Sequence, residues 1–297
     1  MGGETMRFVT KEPILKGWSG DQKYHVTDEN GGQFLLRISD ATQAEKEIEK
    51  FEMVKRVASL GVPMCRPVEI SASAEGVFAI YEWIEGGDAE DIIPTLTETA
   101  QYNYGVEAGH ILKTIHTIPA PPDQEPWESR FSRKMDTKIR KYGECPIHYE
   151  NGDAFLTYIR ENRHLLKDRP QVYHHGDYHI GNFMIDRSRK LRVIDFNRCD
   201  YGDPWEEFNR IVWCAEKAPH FASGMVDGYF SGEVPTLFWR LLALYIASNT
   251  LSSVYWAIPF GEEEIQTMLK QAQNVLRWYD DMRNIVPTWY QARGREI

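Results

Sequence analysis

The stretch HHGDYHIGNFMIDRSRKLRVIDFNRCDYGDP, residues 174–204, gathers His174, His175, Asp177, His179, Asn182, Asp186, Asp195, Asp200 and Asp203 within 31 residues. Three chemistries compete for it. Asp and Asn favour turns because their side chains bond nearby backbone groups, which accounts for Asp186, Asp200 and Asp203 without any reaction. It does not account for Asp195, which ends the apolar run 191–194, where a carboxylate is costly unless paired or bound to a cation. A zinc site from His174, His175, Asp177 and His179 has suitable donors. Against it, adjacent histidines diverge in direction and the His-x-x-x-His spacing of a helical zinc site is missing. Phosphoryl transfer with Mg²⁺ is the third. That ion takes one or two protein oxygens plus substrate phosphates, which Asn182 and Asp195 would supply. Asp177, five residues before Asn182 and eighteen before Asp195, is then left to orient a hydroxyl.

Two kinds of element flank this stretch. KYHVTD (23–28) and QFLLRIS (33–39) are β-rich runs around Asn30-Gly31, a hairpin step. A helix is expected from Ala41 to Leu60, with Thr42 and Glu45 as a capping box and Ala44, Ile48, Phe51 and Val54 as its apolar face, stopped by Gly61. VEISAS (68–73) and GVFAIYEW (76–83) read as a second hairpin, and the glycine-rich acidic segment 85–91 as a link. Helical patterns dominate afterwards: 95–117, ending at Pro119; 153–166; and 204 to about 283, with a proline-rich loop at 119–126. NFMID (182–186) and LRVID (191–195) form a short hairpin inside this half. The expected fold class is α+β, with an N-terminal lobe (1–85) built on an antiparallel sheet and one helix, and a helical C-terminal lobe (86–297).

HGDYHIGN (175–182) followed by IDF (194–196) resembles the HGDxxxxN…IDF signature of aminoglycoside phosphotransferase-like (APH-like) kinases, relatives of the protein kinases. The resemblance implies a protein-kinase-like two-lobed fold. It implies an enzyme that moves the γ-phosphate of ATP or GTP to a hydroxyl of a small molecule. Asp177 would be the catalytic residue, Asn182 and Asp195 the Mg²⁺ ligands, and His175 a structural prop. The segment 16–26, with Gly17, Ser19 and Gly20, would cover the phosphates. Arg37 stands where kinases carry a lysine gripping the α- and β-phosphates, and the two cations differ in geometry. Glu49 would pair with it, Glu52 being the second choice and Glu45 a third. Backbone groups of Glu82, Trp83 and Ile84 would meet the purine edge. For the acceptor, an aminoglycoside or other antibiotic leads, with resistance as the role. A metabolite of choline, homoserine, thiosugar or fructosamine type is the rival, and a catalytically dead nucleotide-binding module is a further alternative. An acidic cleft from Asp200, Glu206, Glu207 and Glu262 to Glu264 would suit a polyamine sugar. Trp205, Tyr255 and Trp256 would wall a different molecule.

Apolar residues make up 42% and charged residues 26% of 297, an ordinary globular composition. With 34 basic against 44 acidic residues the net charge is −10, which argues against nucleic acid as a partner. The longest uninterrupted apolar run, 241–247, is far below the ~20 residues of a bilayer span, so no membrane is expected. The first twenty residues hold no apolar block. Four scattered cysteines without a CxxC pair suit reduced thiols and a cytoplasmic location.

Overall fold

In the computed structural model, which describes residues 7–15 and 20–291, the chain divides into two units. One is Met1–Asp88 with Phe183–Asn197, the other Ala89–Asn182 with Arg198–Ile297. The first runs β1 (Phe8–Pro13), β2 (Gln22–Asp28), β3 (Gln33–Ser39), α1 (Ala44–Ser59), β4 (Pro67–Ser73), β5 (Gly76–Glu82) and β6 (Gly86–Asp88). The second begins with α2 (Ala89–Ile92), α3 (Glu98–Ile115), α4 (Trp127–Glu144), α5 (Asp153–Asn162) and β7 (Val172–His174). The chain then returns to the first unit for β8 (Phe183–Asp186) and β9 (Leu191–Val193). It completes the second with β10 (Asp200–Gly202), α6 (Ile211–Lys217), α7 (Pro219–Phe230), α8 (Thr236–Ala257) and α9 (Glu262–Trp278).

The first unit is an antiparallel sheet in the order β1-β2-β3-β5-β4. Its β2–β3 turn closes because the Asp28 carboxylate accepts the N–H groups of Asn30 (2.9 Å) and Gly32 (2.7 Å). Val26, Leu36 and Ile80 form one core cluster on the sheet. The edge strand β1 has no apolar alternation, its side chains being mostly exposed, and periodicity does not reveal it. Helix α1 forms as expected, but its cap is different. The Asp40 carboxylate, not Thr42, accepts the Thr42 N–H (2.8 Å) and hydroxyl (2.6 Å) at the 3-10 turn before it. Its buried face is Phe51, Val54 and Val57, while Ile48 is exposed.

The β8–β9 hairpin belongs to this unit through backbone hydrogen bonds. β8 pairs with β6, Val193 N–H donates to Pro63 (2.9 Å) and Cys65 N–H donates to Val193 (3.0 Å). Its turn is closed by the Asp186 carboxylate, which accepts the N–H groups of Ser188 (2.8 Å) and Lys190 (3.0 Å) and pairs with Arg192 (2.8 Å). The turn role expected of Asp186 is the observed one.

In the second unit, α3 and α7 touch along glycines. A β-carbon on Gly105 or Gly109 would collide with the backbone of Phe221 or Met225, and one on Gly224 or Gly228 with the backbone of Tyr102 or Val106. The helix α8 is buried around most of its circumference and packs against α4, α5 and α9. By length and composition Thr236–Phe260 is apolar enough to cross a bilayer, with a mean hydropathy of 1.3. The run-length criterion misses this because Arg240 and the uncharged Ser, Thr and Asn residues interrupt the apolar ones. The chain itself buries 67% of that window, the behaviour of a core helix.

Gly109→Ala places a methyl group against backbone that cannot turn aside. A stability loss of about 1–3 kcal/mol is expected by overpacking, measurable as a lowered Tm, with the glycine-to-alanine gain in helix propensity too small to offset it.

Candidate active site

The loop that follows β7 carries Asp177, and its backbone course is held from below. Glu207, buried in the 3-10 turn Glu206–Arg210, accepts the His175 N–H (2.8 Å) on one carboxylate oxygen and the Gly176 N–H (2.7 Å) on the other. A buried carboxylate is tolerable when donors converge on it. Burial alone would raise the Glu207 carboxyl, but His174, His116 and His175 around it bring it down to about 2. Gly176 adopts φ +85°, and a β-carbon there would strike the Arg198 carbonyl. Only glycine meets both the turn and the contact.

The neighbouring acid, Asp203, is wholly buried and saturated. Arg169 grips it through two hydrogen bonds (2.6 and 3.0 Å), and the Tyr245 hydroxyl (2.6 Å) and the Trp205 N–H (2.9 Å) donate to it. Its carbonyl meets His174 Nε2 at 3.0 Å. The turn role expected of Asp203 is present in its bond to the Trp205 N–H, joined to an ion pair that spacing did not reveal.

Within this unit the Asp177 carboxylate is ringed by Arg210 (3.3 Å), His179 (3.7 Å) and Arg198 (3.8 Å). Burial pushes the His179 imidazole down to about 4, against the pull of Asp177. Asn182 donates its amide N–H to the Asp177 carbonyl at 2.8 Å. Its Oδ1 has no hydrogen-bond partner among the described residues, so an oxygen of the type that binds hard cations remains available.

The zinc set proposed from spacing does not assemble. His175 Nδ1 accepts the Asp177 N–H (3.2 Å), whereas His174 turns toward Asp203. The one His/acid cluster among the described residues within metal-ligand reach is His116, His174 and Glu207, with donor atoms inside 4.8 Å. Glu207 is already spent there on two N–H groups, and His116 Nδ1 on the Tyr229 hydroxyl (2.9 Å).

In the first unit, Asp195 sits at φ +66° just past β9, a left-handed conformation that Asp tolerates better than most residues. Arg37 Nη1 lies 3.4 Å from its carboxylate and Lys23 Nζ 4.0 Å. Arg37 is buried, and its other nitrogen pairs with Asp21 at 2.5 Å. The partner expected on α1 is therefore replaced. Glu49 is exposed on the helix, Glu52 pairs with Lys55 (2.7 Å), and Asp21 takes the position instead. The physical reason is register: β2 and β3 place Lys23 opposite Arg37, so the acid beginning β2 is nearer than any residue of α1. Gly20 lies in the bend before β2, while Gly17 and Ser19 lie outside the described residues. In 82–84, the Glu82 N–H donates to Arg66 (2.8 Å), its carbonyl accepts the Cys65 thiol (3.2 Å), and the Trp83 N–H reaches Gln33 (3.4 Å). The Ile84 backbone has no such partner among the described residues.

The acidic cleft expected for a polyamine does not form. Asp200 and Glu206 line a cavity of about 340 Å³, but they are paired with Arg130 (3.3 Å) and Lys134 (3.6 Å). Glu207 is under the loop, and Glu262 to Glu264 open α9, the first two exposed and Glu264 half-buried. Trp205 lies against Arg169 (3.9 Å) and Trp256 against Phe260 (4.7 Å), and neither they nor Tyr255 line this cavity.

Replacing Glu207 by Ala strips two N–H groups of their acceptor, at about 1–3 kcal/mol each. The expected result is a lower Tm together with a lower kcat, since the loop bearing Asp177 loses its anchor. Acid should act on the same cluster. Burial, outweighing Glu207, holds His116 below its ordinary value, so the unfolded chain binds that proton first. Stability is complete above about pH 6.5 and falls as the pH drops below it. Glu207, with a folded value of about 2, adds a second loss as the pH passes below the ordinary carboxylate range. Calorimetric Tm measured from about pH 8 to about pH 5 checks the first loss, which His116→Asn should flatten.

A sequence model of the phosphotransferase enzyme family matches residues 10–239. No curated protein matches the chain. Among solved structures, amicoumacin kinase hAmiN, in a complex with AMP-PNP, Ca²⁺ and Ami, is similar with a TM-score of 0.65 and 14% identity over 94% of this chain and 90% of that one. A choline/ethanolamine kinase family protein from Mesorhizobium loti gives 0.66 and 14%, covering 93% of this chain and 91% of that one. Spectinomycin phosphotransferase APH(9)-Ia, with ADP and its antibiotic, gives 0.59 and 15%, covering 94% and 89%. The fold is thus kinase-like, and with the family match running through both the sheet and the loop that bears Asp177, the chain belongs to the phosphotransferase enzyme family.

Proposed function

We propose that this phosphotransferase moves the γ-phosphate of ATP or GTP onto a hydroxyl of a small molecule, with Asp177 as its catalytic residue. The observation that carries the reading is the pinned loop. Glu207 fixes the backbone on which Asp177 stands, while Asn182 spends its amide nitrogen on the Asp177 carbonyl and keeps its oxygen for a cation. The hydroxyl oxygen of the acceptor attacks the γ-phosphorus, the bond to the β-bridging oxygen breaks, and the hydroxyl proton passes to the Asp177 carboxylate.

Asn182 and Asp195 would hold Mg²⁺, and their amide and carboxylate oxygens suit that ion. Bound there, it would neutralise the charge of the nucleotide phosphates. Arg37, oriented by Asp21, would grip the phosphates in place of a lysine. Gly20, with Ser19, would cover them, and the backbone at Glu82, Trp83 and Ile84 would meet the base. The Ile84 N–H and C=O have no hydrogen-bond partner among the described residues. Support for a nucleotide and a divalent ion comes from amicoumacin kinase with AMP-PNP and Ca²⁺, and for an adenine nucleotide from spectinomycin phosphotransferase with ADP.

The acceptor is a small molecule of the kind met by these relatives, an antibiotic or a hydroxylated metabolite. With an antibiotic as acceptor, the role is resistance. A cytoplasmic setting suits the four free cysteines.

Asp177→Asn should lower turnover by about 10²–10⁴-fold while sparing nucleotide binding. Asp195→Ala should weaken divalent-dependent nucleotide binding, read by titration with and without chelator. Undiminished nucleotide consumption in both variants, measured with an acceptor the wild type uses, would sink the assignment.

A further inference from the structure

The cavity beside the catalytic loop is positively charged in a chain whose net charge is −10. Arg130, Lys134, Lys138, Arg198 and Arg210 line it against two acids, Asp200 and Glu206. Those acids are each matched, to Arg130 (3.3 Å) and Lys134 (3.6 Å). Arg210 and Arg198 reach from its wall to the Asp177 carboxylate, at 3.3 and 3.8 Å. Three cations thus face a single further carboxylate. Lys138 has no acid within 4.0 Å of its Nζ among the described residues.

Burial, reinforced by Lys134 and Arg210, pushes the Lys138 ammonium down to about 7, with Glu206 pulling the other way. An anion at this point would relieve both the desolvation and the repulsion. A polycation would add to them. Trp127 and Phe131, stacked with ring centroids 5.0 Å apart, supply an apolar wall to the same cavity.

We propose that the acceptor is a hydroxylated small molecule carrying an acidic group, a carboxylate or a phosphate ester, which Lys138 and Arg210 recognise. This rests on the reading of Asp177 as the group that orients the acceptor hydroxyl. It deepens that reading by selecting against a polyamine sugar. Lys138 binds the acid, Arg210 shares itself between the acid and Asp177, and the hydroxyl is thereby aimed at the catalytic carboxylate. The aromatic pair takes the carbon skeleton.

The test separates the charge of the pocket from the chemistry of the loop. Sodium sulfate is titrated against sodium chloride at equal ionic strength, with Tm as the readout. Sulfate should raise the Tm of the wild type beyond chloride, Lys138→Met should weaken its apparent affinity about tenfold, and Lys138→Arg should restore it. Gluconate and glucose 6-phosphate, each acidic, are then compared with glucose, glucosamine and kanamycin as competitors of sulfate. Competition by gluconate identifies a carboxylate and competition by the phosphate ester identifies that class; neutral and cationic members should not compete. Equal sulfate response in wild type and Lys138→Met, no response at all, or competition by glucosamine or kanamycin alone would overturn the proposal. Asp177→Asn distinguishes the two readings, because it should retain sulfate binding while losing turnover. Retained binding with undiminished turnover would remove the kinase role of Asp177 and leave the anion pocket standing.

Discussion

A single buried carboxylate organises the loop that bears Asp177. Glu207 receives the N–H groups of two consecutive residues, His175 and Gly176, one on each oxygen. That bidentate arrangement fixes two peptide planes at once and so sets where Asp177 emerges. The cost of burying the charge is met by the donors themselves and by the histidines packed around it. Gly176 completes the constraint, because its left-handed conformation and its contact with the Arg198 carbonyl leave no room for a side chain.

Around this anchor the second unit is built for rigidity. Asp203 ties Arg169, Tyr245 and the start of the Glu206–Arg210 turn together with no lone pair exposed to solvent. Backbone-to-backbone approach along the glycines of α3 and α7, and a core helix α8 covered by its neighbours, hold these polar groups in a dry surround. Low local dielectric then strengthens each of the charge-assisted hydrogen bonds. At the cavity wall Arg210 pairs with Asp177, whereas Lys138 has no acid within 4.0 Å among the described residues.

Electrostatics follows a shared logic in both units. Each acid singled out by the motif is flanked by cations of its own unit: Asp195 by Arg37 and Lys23, Asp177 by Arg210 and Arg198. Carboxylates so flanked are positioned before any ligand arrives, and the cations beside them are oriented in turn. Asp21 plays the supporting part for Arg37 that a helix glutamate was expected to play.

Much of the fold was legible in the residues. Period-2 runs around Asn30-Gly31 gave the first hairpin, period-3.6 runs gave α1, α3 and α5, and the paired runs 182–186 and 191–195 gave the hairpin before Asp195. The HGDxxxxN…IDF spacing marked out Asp177, Asn182 and Asp195, because such short-range order is written into one contiguous segment. What the residues left open depends on distant pairings. Asp21 rather than Glu49 meets Arg37 because strand register brings the start of β2 closer than a helix that packs elsewhere. Asp200 and Glu206 looked like the makings of an acidic cleft until Arg130 and Lys134, from a helix some seventy residues earlier, neutralised them. The linear order of residues determined the kind of chemistry through local spacing, whereas the sign of the charge lining the cavity was decided only by tertiary packing, since Coulomb energy depends on which side chains become neighbours and how much water remains between them.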